Sequence, residues 1–132
     1  MKTMKTLVFI GAVALLASCS TTAKFPVSTV VSAAEIKVTK KQDKQNNHVI
    51  AVTANHLSAA NKLAPPKNHY TVWLISENGS IINVGQLTNR NAGKASLEIT
   101  TPHKTMAVLI TAEDQSNLNY PTGVEISTIC FK

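Results

Sequence analysis

Residues 70–87, YTVWLISENGSIINVGQL, constrain the fold more than any other stretch of the chain. Tyr70, Val72 and Leu74 alternate with Thr71, Trp73 and Ile75. A strand here carries bulky groups on both faces, as a central strand of a layered sheet does. The dipeptide Asn78-Gly79 follows, and both residues tolerate the positive φ that a tight type I′ turn needs. A second strand over 80–87 is therefore expected to fold straight back. The single Trp of the chain, Trp73, lies midway along the first arm. Its expected place is between two sheets with the indole N–H finding one partner; the alternative is an exposed aromatic platform for a sugar or peptide.

The same period of two recurs along the chain. Val27, Thr29 and Val31 alternate with Ser28, Val30 and Ser32, and Ile36 and Val38 with Lys37 and Thr39, which predicts one or two strands over 25–40. Residues 40–47, KKQDKQNN, read as a polar turn, and 48–57 as the next strand. The stretch 58–68, SAANKLAPPKN, is the longest interruption, and Pro65-Pro66 limits it to one short helical turn. A polar turn over 88–94 has Gly93 to take a left-handed conformation. Ala95, Leu97 and Ile99 then give a strand with one wet side. Residues 101–103 break it, and Met106, Val108 and Ile110 alternate with Ala107, Leu109 and Thr111 as a second central strand. Residues 113–120 form a loop ended by Pro121, and 123–131 the last strand. Seven or eight strands with no long helix predict an all-β antiparallel β-sandwich in one domain, residues 25–132.

The N-terminus has a different character. Lys2 and Lys5 precede an apolar run over 7–16, LVFIGAVALL, and small residues follow: the three-part pattern of a secretory signal over 1–18. The run is too short for a bilayer core, which needs roughly 20 helical residues. Leu16-Ala17-Ser18-Cys19 resembles the lipobox of bacterial lipoproteins. That resemblance implies acylation of the Cys19 sulfur and of its new amino group, and several chains anchor durably where one is marginal. Ser20, with no Asp in its place, resembles the residue that lets such a lipoprotein pass to the outer membrane, facing the periplasm. The alternative is an ordinary cleaved signal with a free Cys19. Residues 19–24 read as a polar tether spanning about 20 Å at most. Cys130 is expected to be a buried small hydrophobe, and a Cys19–Cys130 disulfide is open only to an unlipidated chain.

The formal charge is +6, and without Lys2 and Lys5 about +4. Lys24, Lys37, Lys40, Lys41 and Lys44 gather in the N-terminal third. Such a cluster is either a solvated face that keeps edge strands soluble or an attraction to anionic head groups near the anchor. Nucleic-acid binding is not expected, because no aromatic residues interleave the lysines as a stacking platform requires. His48, His56, His69 and His103 lack the close spacing of a metal motif, so no metal and no cofactor is expected. There is no Gly-x-Ser-x-Gly elbow, and Glu113-Asp114 is the only adjacent acid pair, so no enzyme activity is expected. Asn78-Gly79-Ser80 matches a glycosylation sequon, but the turn reading takes precedence.

From about residue 49 to 126 the chain resembles the extracytoplasmic C-terminal domain of the anti-sigma-K factor family. Tyr70-Thr71-Val72-Trp73-Leu74 is similar to that family's Tyr-x-x-Trp-Leu strand, and Val84-Gly85-Gln86-Leu87 to its Gly-x-Leu after the hairpin. Gly93-Lys94-Ala95, Met106-Ala107-Val108, Thr111-Ala112-Glu113 and Pro121-Thr122-Gly123 follow in the family's order; Gln115-Ser116-Asn117 stands where the family has Gly-Gly-Ser. The resemblance implies an immunoglobulin-like sandwich outside the membrane and a non-enzymatic role. It does not carry sigma-factor inhibition, since neither the family's transmembrane helix nor its cytoplasmic segment is expected here. The expected function is a lipid-anchored envelope module for binding, sensing or regulation, with an envelope protein as partner. Its contact surface is expected on the loops 58–68 and 113–120, at Lys62, Lys67, Asp114 and Tyr120. A structural envelope lipoprotein without a ligand, or a small metal or ligand carrier, are the alternatives.

Overall fold

The alternating sequence resolves into strands in a computed structural model that describes residues 20–89 and 93–131. The signal segment 1–18 and Cys19 lie outside the described residues. The strands are β1 (Ser20–Lys24), β2 (Glu35–Gln42), β3 (His48–Asn55), β4 (His69–Ser76), β5 (Ile81–Gln86), β6 (Thr88–Asn89), β7 (Ala95–Thr101), β8 (Thr105–Glu113) and β9 (Val124–Cys130). Among the described residues a single 3-10 turn, Ala60–Lys62, interrupts them. One sheet is ordered β1-β2-β3-β7-β6 and the other β5-β4-β8-β9, all pairs antiparallel. With β1 set aside, this is the A-B-E-D and C′-C-F-G order of an immunoglobulin-like sandwich. Eight strands have five residues or more, and β6 adds a two-residue pairing to β7.

The core lies between the sheets. Ile36 and Val38 of β2 and Ile50, Val52 and Ala54 of β3 face Val72 and Leu74 of β4 and Val108 and Ile110 of β8. Each fully buried Val or Ile contributes about 1.5–3 kcal/mol relative to exposure. β3 and β8 are flanked on both sides and are rich in β-branched residues, which suit a packed pleated surface. No helix among the described residues is long and apolar enough to cross a membrane.

Four local features differ from the sequence expectation. Ser20–Lys24, read as a tether, is a strand paired along its length with β2, from Ser20 opposite Lys41 to Lys24 opposite Lys37. Residues 25–34, read as strand, form none. Pro26 lacks a ladder donor, and the Ser28 hydroxyl accepts the N–H groups of Val30 and Val31 at 3.1 and 3.2 Å, bending the chain locally. Phe25, Val31 and Ala34 of this stretch still enter the core.

The β4–β5 turn is a three-residue loop and not a type I′ turn. Gly79 N–H donates to Ser76 O and Ser76 N–H to Ser80 O, both at 3.0 Å, and Gly79 alone takes positive φ, +86°. The Asn78 side chain accepts the Ser80 N–H at 3.0 Å, which holds the turn without Asn78 going left-handed.

Cys130, expected to be buried, is exposed. The row Val124, Ile126, Thr128, Cys130 is broken by a register shift opposite Ile110 and Thr111. Ser127 pairs with inward-facing Ile110 and Glu125 with Thr111, so Ile126 is the extra residue. Beyond it the faces exchange. Ser127 and Ile129 turn inward, while Thr128 and Cys130 turn outward.

Candidate functional site

Two loops meet at the end of the sandwich opposite the start of β1. The first leaves β3 at Asn55. His56 takes φ +57°, Leu57 buries its side chain, and the Leu57 N–H donates to Gly93 O at 2.9 Å. After the 3-10 turn and the cis Ala64-Pro65 bond, the Lys67 N–H donates back to Ala60 O at 3.0 Å. Tyr70 fixes the loop from below, its hydroxyl donating to Ser58 O at 2.6 Å. Burial pushes the Tyr70 phenol above its ordinary value of 10.0, because the anion would lose its water.

The second loop, 114–123, leaves β8 and lies back across the outer face of β5-β4-β8-β9. Asn83, which pairs with Trp73, donates its side-chain N–H groups to Ser116 O and Leu118 O at 3.0 Å each. Gln86 Nε2 donates to Ser116 O at 3.0 Å. Beneath this loop sits Trp73, fully buried, on the face away from the inter-sheet core. Burial of the ring agrees with the sequence expectation; its place between the sheets does not. The outward parity of Thr71, Trp73 and Ile75 puts the indole under the loop instead.

A polar chain runs from that ring. Trp73 Nε1–H donates to Thr111 Oγ1 at 2.8 Å, and the Thr111 hydroxyl donates to Glu113 Oε2 at 2.6 Å. Glu113 Oε1 accepts the Thr122 hydroxyl at 2.9 Å, and the Thr122 N–H reaches both carboxylate oxygens at 3.3–3.4 Å. Glu113 is fully buried, and every one of its hydrogen bonds is accepted, which suits an acceptor-only carboxylate. Thr71 Oγ1, also buried, has no partner. Gly123 closes the loop where nothing larger fits, since a Cβ there would lie 1.9 Å from Ala112 O.

The two loops are joined. Asn68 N–H donates to Glu113 O at 3.0 Å, Asn68 Nδ2 to Asp114 O at 3.1 Å, and Lys67 Nζ lies 3.4 Å from Asp114 Oδ2. Of the four residues expected at a contact surface, the fold thus brings Lys67 and Asp114 together. Lys62 and Tyr120 stand exposed on the same two loops, Tyr120 at 67%. A shallow groove of about 260 Å³, lined by Ala60, Asn61, Asn68, His69 and Gln86 among others, runs beside the junction.

Glu113 and Asp114, the adjacent acids, point apart: one is buried and the other is exposed. The Glu113 carboxylate is taken up by Thr111 and Thr122 beneath the second loop. Sequence reasoning missed Asn68, Asn83, Glu113 and Thr122 as the residues that shape this surface. The only sequence sign was the period-two pair Thr111 and Glu113 ahead of Thr122-Gly123. Among the described residues no three His, Cys, Asp or Glu side chains gather to hold a metal. Comparison with protein-family models, curated proteins and solved structures finds no match to this chain.

Proposed function

We propose that the protein is a non-enzymatic lipoprotein of the bacterial envelope, anchored through Cys19. Its sandwich, resembling the anti-sigma-K factor C-terminal domain, serves as a binding or regulatory module for an envelope protein. The observation that carries this reading is the joined loop surface at the end opposite β1. There Asn68 and Lys67 tie loop 58–68 to Asp114, and Lys62 and Tyr120 are presented on a preordered backbone. Preordering lowers the entropy that a partner must overcome on binding, and an exposed Tyr is a favoured interface anchor. The anchor reading rests on the lipobox-like Leu16-Ala17-Ser18-Cys19.

A photocrosslinking residue at Lys62 or Tyr120, in cells, is expected to trap one envelope protein, and a control at exposed Glu98 is not. Recovery of no protein from either loop would leave a structural lipoprotein as the better description. Palmitate labelling tests the anchor separately: the native chain is expected to take up label, and Cys19→Ser to lose both label and membrane fractionation.

A further inference from the structure

We propose that the end of the sandwich where β1 begins is a docking surface for anionic phospholipid head groups. In this arrangement the molecule stands end-on, with its joined loops directed away from the bilayer. This rests on the Cys19 anchor reading above and adds to it the lipid class and the orientation.

Three observations converge there. The first is connectivity: Ser20, the residue after Cys19, is already in β1 and opposite Lys41. No free linker among the described residues separates the sandwich from the anchor point. Paired residues in such a ladder lie about 5 Å apart, so Lys41 is held close to the anchor. The second is charge. At this end Lys40, Lys41 and Lys44 stand against the one acid Asp43, Lys24 and Lys37 being opposite each other at the far end of β1, whereas the described residues from 48 on hold four lysines against five acids. The ion pairs among the described residues are Lys67–Asp114 and Lys104–Glu77, so Lys40, Lys41 and Lys44 are left for an external anion. Asp43, beside them, is occupied in the turn, accepting the Gln45 and Asn47 N–H groups at 2.9 Å.

The third is shape. A recess of about 240 Å³ opens beside the start of β1, lined by Thr21, Lys40, Lys41, Gln42 and His48. Lys40 is positioned over the Phe131 ring, 4.4 Å from its centroid, so the ammonium group is partly ordered before any ligand arrives. By register Lys40, Thr21 and His48 share one face of the sheet and Lys41 stands on the other, so an ammonium group, an imidazole and a hydroxyl on the recess side suit the phosphate of a lipid head group, with a second cation across the strand. The anchor supplies that phosphate at high local concentration, which favours a lipid over a free anion.

The test uses the full-length protein purified from membranes and mixed with vesicles of phosphatidylcholine, with or without phosphatidylglycerol. An amine-reactive reagent is added, and mass spectrometry follows each lysine. In the anionic vesicles, modification of Lys40, Lys41 and Lys44 is expected to slow about fivefold or more, the factor equivalent to one lysine near a charged leaflet. Lys62 and Lys94 are expected to react equally in both vesicles, and high salt is expected to remove the difference. The exposed-site variant K41E/K44E is expected to lose protection at Lys40. Equal rates in the two vesicles, or the same protection from inorganic phosphate in neutral vesicles, would overturn the proposal. The mass of the Cys19 peptide separates the two readings. Acyl mass without protection removes the docking surface and keeps the anchor; protection without acyl mass removes the anchor and keeps the surface.

Discussion

At Thr111 one hydroxyl serves two buried groups, accepting from the Trp73 indole and donating to the Glu113 carboxylate. Thr111→Val keeps the shape and removes both bonds, leaving an indole N–H and a carboxylate oxygen short of partners away from water. The expected loss is about 2 kcal/mol, read as a lower urea midpoint with an unchanged slope. Tyr70 gives a pH dependence whose sign follows from its raised folded value. Above pH 10 the native state holds the phenolic proton more tightly than the unfolded chain does. Stability from this group is therefore full below the ordinary tyrosine value and falls as pH rises through the folded one. Tyr70→Phe is expected to flatten that alkaline decline in a series of denaturation midpoints, at the cost of the bond to Ser58 O. Burial of Tyr70 and Trp73 was legible in the sequence, because both stand in a strand that is apolar on both faces. Which face carried the inter-sheet core was not, since Val72 and Trp73 are both large and apolar and only their neighbours decide.

At the scale of elements, the period of two located β3, β4, β7 and β8, whose cores alternate without interruption. It failed where hydrogen bonds outside the ladder intervened: at Ser28, which captures two N–H groups, and at Ile126, whose insertion exchanges the faces of β9. β1 was illegible for another reason. Ser20, Thr21 and Thr22 carry no apolar signal, and the strand exists because it adds to the edge of β2. The candidate site was half legible: loops 58–68 and 114–123 announce themselves by Pro, Asn and Ser, but their union depends on Asn68 meeting Glu113 and Asp114 across the fold. Two variants test how the second loop is held. Gly123→Ala puts a Cβ into Ala112 O and is expected to cost about 3 kcal/mol by chemical denaturation. Asn83→Ala removes two bonds to the loop and is expected to cost about 1–2 kcal/mol, with Trp73 emission moving to the red and acrylamide quenching rising. An indole between the sheets would register no such change, so unchanged emission and quenching in Asn83→Ala would contradict its placement under the loop.

For the whole molecule, the distribution of charge sets stability against interaction. Lys24 and Lys37 are directly opposite each other on the outer face of β1 and β2, and like charges in that relation repel. Neither belongs to an ion pair among the described residues. The sandwich therefore carries a strained cationic edge while the rest of its described surface is close to neutral, an arrangement that also discourages a second chain from adding to β1. Lys37→Glu replaces repulsion by attraction and is expected to raise stability by about 0.5 kcal/mol, or roughly 2–4 °C in melting temperature at low salt. Added salt is expected to raise the melting temperature of the native chain and to shrink the advantage of the variant, because screening relieves the same repulsion. If the native chain melts at one temperature at all salt concentrations, the lysines are far enough into solvent not to feel each other, and the clustered charge exerts no force on the fold. A salt-dependent native chain and a salt-insensitive Lys37→Glu would instead identify the β1–β2 edge as the place where the protein retains positive charge against its own stability.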